Sequence, residues 1–170
     1  MINNFPDLSH KKITDLISST DSPVPAAIST AALNSINGLA LAELAIKVTL
    51  NNKADQDLNQ FLKQIPEYKK ELYQLAAKDC QSWDQETKTF NKDLLINTPY
   101  QLAEKLITIL DELNQIKERI TGQVTADFQA GYAIIKNSSQ IAIDIYQLNL
   151  EYFDLPLTDL KDIRNKISKL

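Results

Sequence analysis

The stretch that most limits what this chain can become runs from Asp21 to Asn52, DSPVPAAISTAALNSINGLALAELAIKVTLNN. After a stiff Pro23-x-Pro25 entry it is apolar or small on almost every side. Between Pro25 and Leu50 the only charges are Glu43 and Lys47, four residues apart with the acid first, the order that pairs favourably along a helix. A helix that shows water a single charged stripe has to be surrounded by other parts of the protein. Ala26, Ala27, Ala31, Ala32, Ser35, Gly38, Ala42 and Ala45 keep it thin, so neighbouring backbones can come close. The segment is expected to be the central helix, with the other helices packed around it.

The rest of the chain reads as helices of ordinary amphipathic pattern. Residues 7–20 place Leu8, Ile13, Leu16 and Ile17 on one side, with Asp7 or Ser9 available as a cap. Leu58, Phe61, Leu62 and Ile65 face inward in the next stretch, and Pro66 is expected to start a further helix at its first position. That helix, running on toward Phe90, carries Leu72, Leu75, Ala76, Asp79 and Trp83 on one line. A carboxylate at Asp79 among apolar neighbours is either paired or reaches into a polar cavity. Thr98-Pro99 reads as a helix start, followed by Leu102, Leu106, Ile109, Leu113, Ile116 and Ile120 at spacings of 4, 3, 4, 3 and 4, a core seam. Gly122 separates this helix from another that Thr125 is expected to cap. Its inward side is expected to hold Phe128, Ile134 or Ile135, Ile141, Ile145 and Leu148. Asp127 falls in its first turn, where the helix dipole favours a carboxylate. Pro156 ends it, and Thr158 caps a last short helix through Leu160, Ile163, Ile167 and Leu170.

These elements make an all-α bundle of about six helices around the Ala-rich one, expected as a single domain over residues 1–170. Three glycines among 170 residues fit long helices with few tight turns. The net charge of −4, with no basic stripe, argues against nucleic acid as a partner. One histidine, His10, and one cysteine, Cys80, rule out a His/Cys zinc site and a serine–histidine triad within one chain. His10 beside Lys11 and Lys12 reads as a solvated residue. The N-terminal segment is too polar for a signal peptide, and Asn34, Asn37, Glu43 and Lys47 make the long helix an uncomfortable membrane span. The cytoplasm is the expected address, with no membrane partner.

Three pieces in order, SPVPAAISTAAL, LAAKDCQSW and TADFQAGYAII with IDIYQLNLEY, resemble motifs of the cyclodeaminase/cyclohydrolase family. That family comprises the cyclodeaminase domain of formiminotransferase-cyclodeaminase and its free-standing relatives, including methenyltetrahydrofolate cyclohydrolase. Ser22, Pro23, Pro25 and Ser29 match the first motif, Leu75, Asp79 and Trp83 the second, and Asp127, Ala142, Asn149 and Leu150 the third. The resemblance implies an all-α bundle that forms homodimers. It also implies water addition to, or ammonia loss from, a one-carbon unit on tetrahydrofolate, with no metal. On it, Asp127 and Asp79 are the catalytic acids, and Ser22, Pro25, Ser29 and Asn149 bind substrate. The Pro25–Ser29 turn would offer backbone N–H groups to an anionic part of the folate.

The chain departs from the family at three glycines, replaced by Ala26, Ala27 and Ile28, which resist the close backbone approach that glycine permits. Ile141 and Ile145 fill positions that are usually small or polar, and the segment between Trp83 and Pro99 is short. A second reading follows: a catalytically silent helical dimer of the same fold, holding another ligand or a protein.

Overall fold

The computed structural model describes residues 9–19, 25–157 and 160–170. The expectations placed on Asp7, Leu8, Ser22, Pro23 and Thr158 lie outside the described residues. Six helices follow in order: α1 (His10–Ile17), α2 (Ala27–Asn52), α3 (Gln56–Cys80), α4 (Lys92–Ile116), α5 (Thr125–Tyr152) and α6 (Leu160–Ser168). A two-stranded antiparallel ribbon, β1 (Trp83–Asp84) with β2 (Thr89–Phe90), lies between α3 and α4. Helices α2, α3, α4 and α5 form a ring in which each packs on the next and α5 closes back on α2. The seam Leu102, Leu106, Ile109, Leu113, Ile116 and Ile120 is buried throughout, as its spacing requires. The amphipathic α1 lies over α2 near Tyr73, and α6 lies against α4 and α5 with Leu160, Ile163 and Ile167 buried.

Helix α2 is central but not surrounded. It packs on α5 and α3, while Asn34, Asn37, Ala40 and Leu44 stay exposed. The ring gives α2 its main neighbours in α5 and α3, with α1 lying over its first turns. By length and composition α2 could cross a membrane, yet half of its most apolar window is buried inside the bundle. Its Glu43 pairs with Lys47 as the spacing predicts, and also reaches Lys69 on α3.

Glycine matters where α2 meets α5. A Cβ on Gly38 would sit 2.7 Å from the Gly131 carbonyl oxygen and 2.8 Å from Ile135. A Cβ on Gly131 would meet the Gly38 carbonyl, Leu41 and Ala42. Residues 38 and 41–42 therefore face 135 and 131 respectively, so the two helices run antiparallel with their backbones in contact. This explains the face that α5 buries. Gly131, Ser138, Ser139 and Ala142 point inward with Phe128 and Ile135, while Ile141 and Leu148 are 40% and 57% exposed. The expectation that Ile141 and Leu148 face the core is wrong because the backbone contact at Gly38 and Gly131 turns the Gly131–Ile135–Ser138–Ala142 face of α5 inward.

Both prolines read as helix starts lie inside helices. Asp55 caps α3, accepting from Asp57 N at 3.0 Å and Leu58 N at 3.1 Å, and the helix continues through Pro66. Asn91 caps α4, accepting from Leu94 N at 3.2 Å, seven residues before Thr98. An interior proline removes one helical hydrogen bond and leaves the carbonyl four residues back without its partner. Helix α3 also ends at Cys80, earlier than its apolar line suggests. The ribbon follows, its turn held by Asp84 accepting from Glu86 N and Thr87 N, with the Trp83 and Phe90 rings 4.7 Å apart. Thr125 does not cap α5; it is the first helical residue, and its hydroxyl donates to the Gly122 carbonyl at 2.9 Å. Gly122 itself has φ +81°, a conformation that favours glycine.

Candidate functional site at the start of α2

Helix α2 begins at Ala27, and its cap residue, Ala26, has no side chain that can accept a hydrogen bond. The first turn leaves backbone N–H groups that need an acceptor. Asp79, from the last turn of α3, supplies one. It is 7% exposed, and its Oδ2 accepts from Ser29 N at 3.0 Å and from the Ser29 hydroxyl. The Ala26 amide also donates to its carboxyl. The fold thus caps α2 with an acid fifty residues later in the chain. Of the two states open to Asp79, paired or reaching into a polar cavity, the paired one is observed.

Burial pushes the Asp79 carboxyl above its ordinary range, while the Ser29 hydroxyl and the two amides pull it part of the way back. Ser29 Oγ lies 3.4 Å from the Ala76 carbonyl and 3.6 Å from Cys80 Sγ. Burial raises the Cys80 thiol to about 11, so at neutral pH it is a protonated, weakly reactive group. A groove of about 340 Å³ opens between α1 and α2, lined by Ile13, Ile17, Thr30, Leu33, Asn34 and Tyr73 among others, with Asp79 and Ser29 outside its lining. His10, exposed as expected, stands at its edge.

The other candidate residues are placed apart. Pro25 is buried at the entry to α2. Asn149 reaches across to α4, where its Nδ2 donates to the Leu95 carbonyl at 2.6 Å. Leu95 is four residues before Pro99, so this is the carbonyl that the proline leaves free. Asp127 is half-buried in the first turn of α5. The antiparallel register puts it level with about residue 46 of α2. Seventeen residues of helix, about 25 Å, separate that level from Ser29. The structure joins Ser29 and Asp79 and holds Asp127 at the opposite end of α2. The N–H groups expected to receive an anionic ligand are occupied by the chain's own carboxylate.

Sequence reasoning missed two partners here. The link between Asn149 and the carbonyl freed by Pro99 was hidden because Pro99 reads as a helix start and its partner lies fifty residues on. Lys69 as a second partner for Glu43 left no local signal. Among the described residues no three His, Cys, Asp or Glu side chains converge as a metal site.

Residues 9–93, half of the chain and the part that contains Ser29 and Asp79, match the formiminotransferase-cyclodeaminase family profile. The chain belongs to the formiminotransferase-cyclodeaminase family. No curated protein sequence matches it.

Proposed function

We propose that the chain acts on a one-carbon unit carried by tetrahydrofolate, as a methenyltetrahydrofolate cyclohydrolase or a formiminotetrahydrofolate cyclodeaminase. The observation that carries this reading is Asp79, a buried carboxyl raised above its ordinary range and seated on the first turn of α2 inside the family-matched segment. Acids perturbed by burial suit proton transfer near neutral pH. In the cyclohydrolase reaction water adds to the electrophilic methenyl carbon, one ring C–N bond breaks, its nitrogen takes a proton, and one proton is released. In the cyclodeaminase reaction ring closure expels ammonia, which leaves with the proton it needs. The carbon is electrophilic already, so the reading calls on no metal. On this reading Asp79 takes and returns the proton, and the folate binds where its one-carbon unit reaches the first turn of α2. Within one chain Asp127 lies about 25 Å from Ser29 along α2, so the two acids do not face one reacting carbon.

A second reading rests on a specific observation. Asp79 and the first amides of α2 satisfy one another, and Asn149 satisfies Leu95. A chain that uses its candidate groups to hold itself together fits a catalytically silent member of the family. The decay of methenyltetrahydrofolate absorbance, corrected for the spontaneous reaction, separates the two. Acceleration by wild type, lost in Asp79→Asn and kept in Asp127→Asn, is the expected result. No acceleration, with no rise in melting temperature on adding folate, would overturn the enzyme reading.

A further inference from the structure

A groove of about 570 Å³ runs along α3 and α4 with Lys166 of α6 at its edge, and Asp79 and Ser29 lie outside its lining. Its volume falls within the roughly 300–1,000 Å³ of small-molecule sites. Leu75 and Ile107, both buried, make an apolar floor. The walls carry three lysines and three acids, and four of these charges cancel in pairs. Lys105 Nζ lies 2.8 Å from Glu71, and Lys166 Nζ lies 3.8 Å from Glu104. Lys78, half-buried, and Asp111, exposed, are left over. Among the described residues neither has an opposite charge within ion-pair distance, and Lys78 Nζ donates to the neutral Gln101 amide oxygen at 3.4 Å. Helices α3 and α4 run antiparallel, since Lys78 meets Gln101 and Tyr68 meets Glu112. Lys78 is therefore level with residue 101. Asp111 stands ten residues further along α4, about 15 Å away. The groove is thus polarised along its length, with a free cation at one end and a free carboxylate at the other.

We infer that this groove binds a short peptide in extended form, with its terminal carboxylate at Lys78 and its terminal ammonium at Asp111. The charges fit, because a ligand of one sign leaves one end of the groove without a partner. The length fits as well: an extended chain advances about 3.4 Å per residue, so four residues span about 14 Å. The middle of the groove suits a peptide backbone. Gln74 stands there with a side-chain amide that offers both a donor and an acceptor, the two functions that each peptide unit presents in turn. Small apolar side chains can rest on Leu75 and Ile107 below. The groove is separate from the Asp79 site and serves this role whether or not the protein is an enzyme.

Calorimetric titration of the full chain tests it with three probes: tetraalanine, its N-acetylated form and its C-terminal amide. Wild type is expected to bind tetraalanine saturably with a Kd below about 1 mM. Each blocked form is expected to bind about fivefold more weakly, the upper range for a partly exposed charge pair. In Lys78→Gln the amide and the free acid should bind alike, while acetylation still weakens binding. In Asp111→Asn the pattern reverses: acetylation no longer matters and the amide still does. Circular dichroism checks that both variants stay helical; each reports on its own end, so either one decides. No saturable binding of tetraalanine to wild type at millimolar peptide would overturn the inference. So would blocked peptides that bind wild type as well as the free one, or variants that weaken all three peptides equally.

Discussion

The bond between Asn149 and Leu95 gives the most exacting test of the fold. Pro99 has no N–H, so the Leu95 carbonyl in the first turn of α4 depends on the Asn149 amide, 2.6 Å away. Asn149→Ala removes that donor. A buried carbonyl left without a partner costs about 1–3 kcal/mol, and this site is only partly buried, so about 1 kcal/mol is expected. For a chain of 170 residues this corresponds to a fall in Tm of about 3 °C. The cause is distinguished by a second substitution. Pro99→Ala restores an N–H that can reach Leu95 along the helix. In that background Asn149→Ala should lose its hydrogen-bond cost, leaving a coupling of about 1 kcal/mol between the two sites. Urea denaturation of the four proteins measures it, and any effect of Pro99→Ala on the unfolded chain cancels in the cycle. Additive costs, within about 0.3 kcal/mol, would refute the account of Asn149 as the partner of the proline-freed carbonyl.

Two further outcomes follow from the packing and from Asp79. Gly131→Ala drives a Cβ into the Gly38 backbone, which cannot yield as a side chain does, so a loss of about 2–3 kcal/mol in thermal or chemical unfolding is expected. Asp79 has a folded pKa above its unfolded value of 3.8, so the folded state binds the extra proton between the two. Its contribution is therefore fully present below pH 3.8 and is lost as pH rises through the folded value. Wild-type stability minus that of Asp79→Asn should fall across that window; a flat difference would mean that Asp79 keeps an ordinary pKa.

What could be read in the sequence was whatever depended on local spacing. The seam from Leu102 to Ile120 repeats every three or four residues and needs no knowledge of a partner. The Glu43–Lys47 pair was equally local. The prolines were misread because a proline at a helix start and one inside a helix look alike, and the group that tolerates Pro99 lies fifty residues on. The inward face of α5 was misassigned by bulk. Ile141 and Leu148 are the larger residues, but the two helix backbones touch at Gly38 and Gly131, and the face of α5 that carries Gly131, Ile135 and Ser138 is the one turned inward. At the site, the pairing of Asp79 was foreseeable from an acid on an apolar line. Its partner was not, because nothing near Asp79 in sequence names Ser29. The separation of Asp79 from Asp127 depends on the antiparallel run of α2 and α5, a property of the assembled ring.

The cap on α2 also sets an order of events. Ser29 and Ala26 have no acceptor side chain of their own at the helix start, and the carboxylate that serves them is fifty residues away. As the chain leaves the ribosome, the first turn of α2 stays incomplete until α3 has been made and has folded back along it. The hairpin of α2 and α3 is then the earliest piece in which every part of that turn is present. Its closure marks the point at which the long apolar helix first acquires a defined beginning.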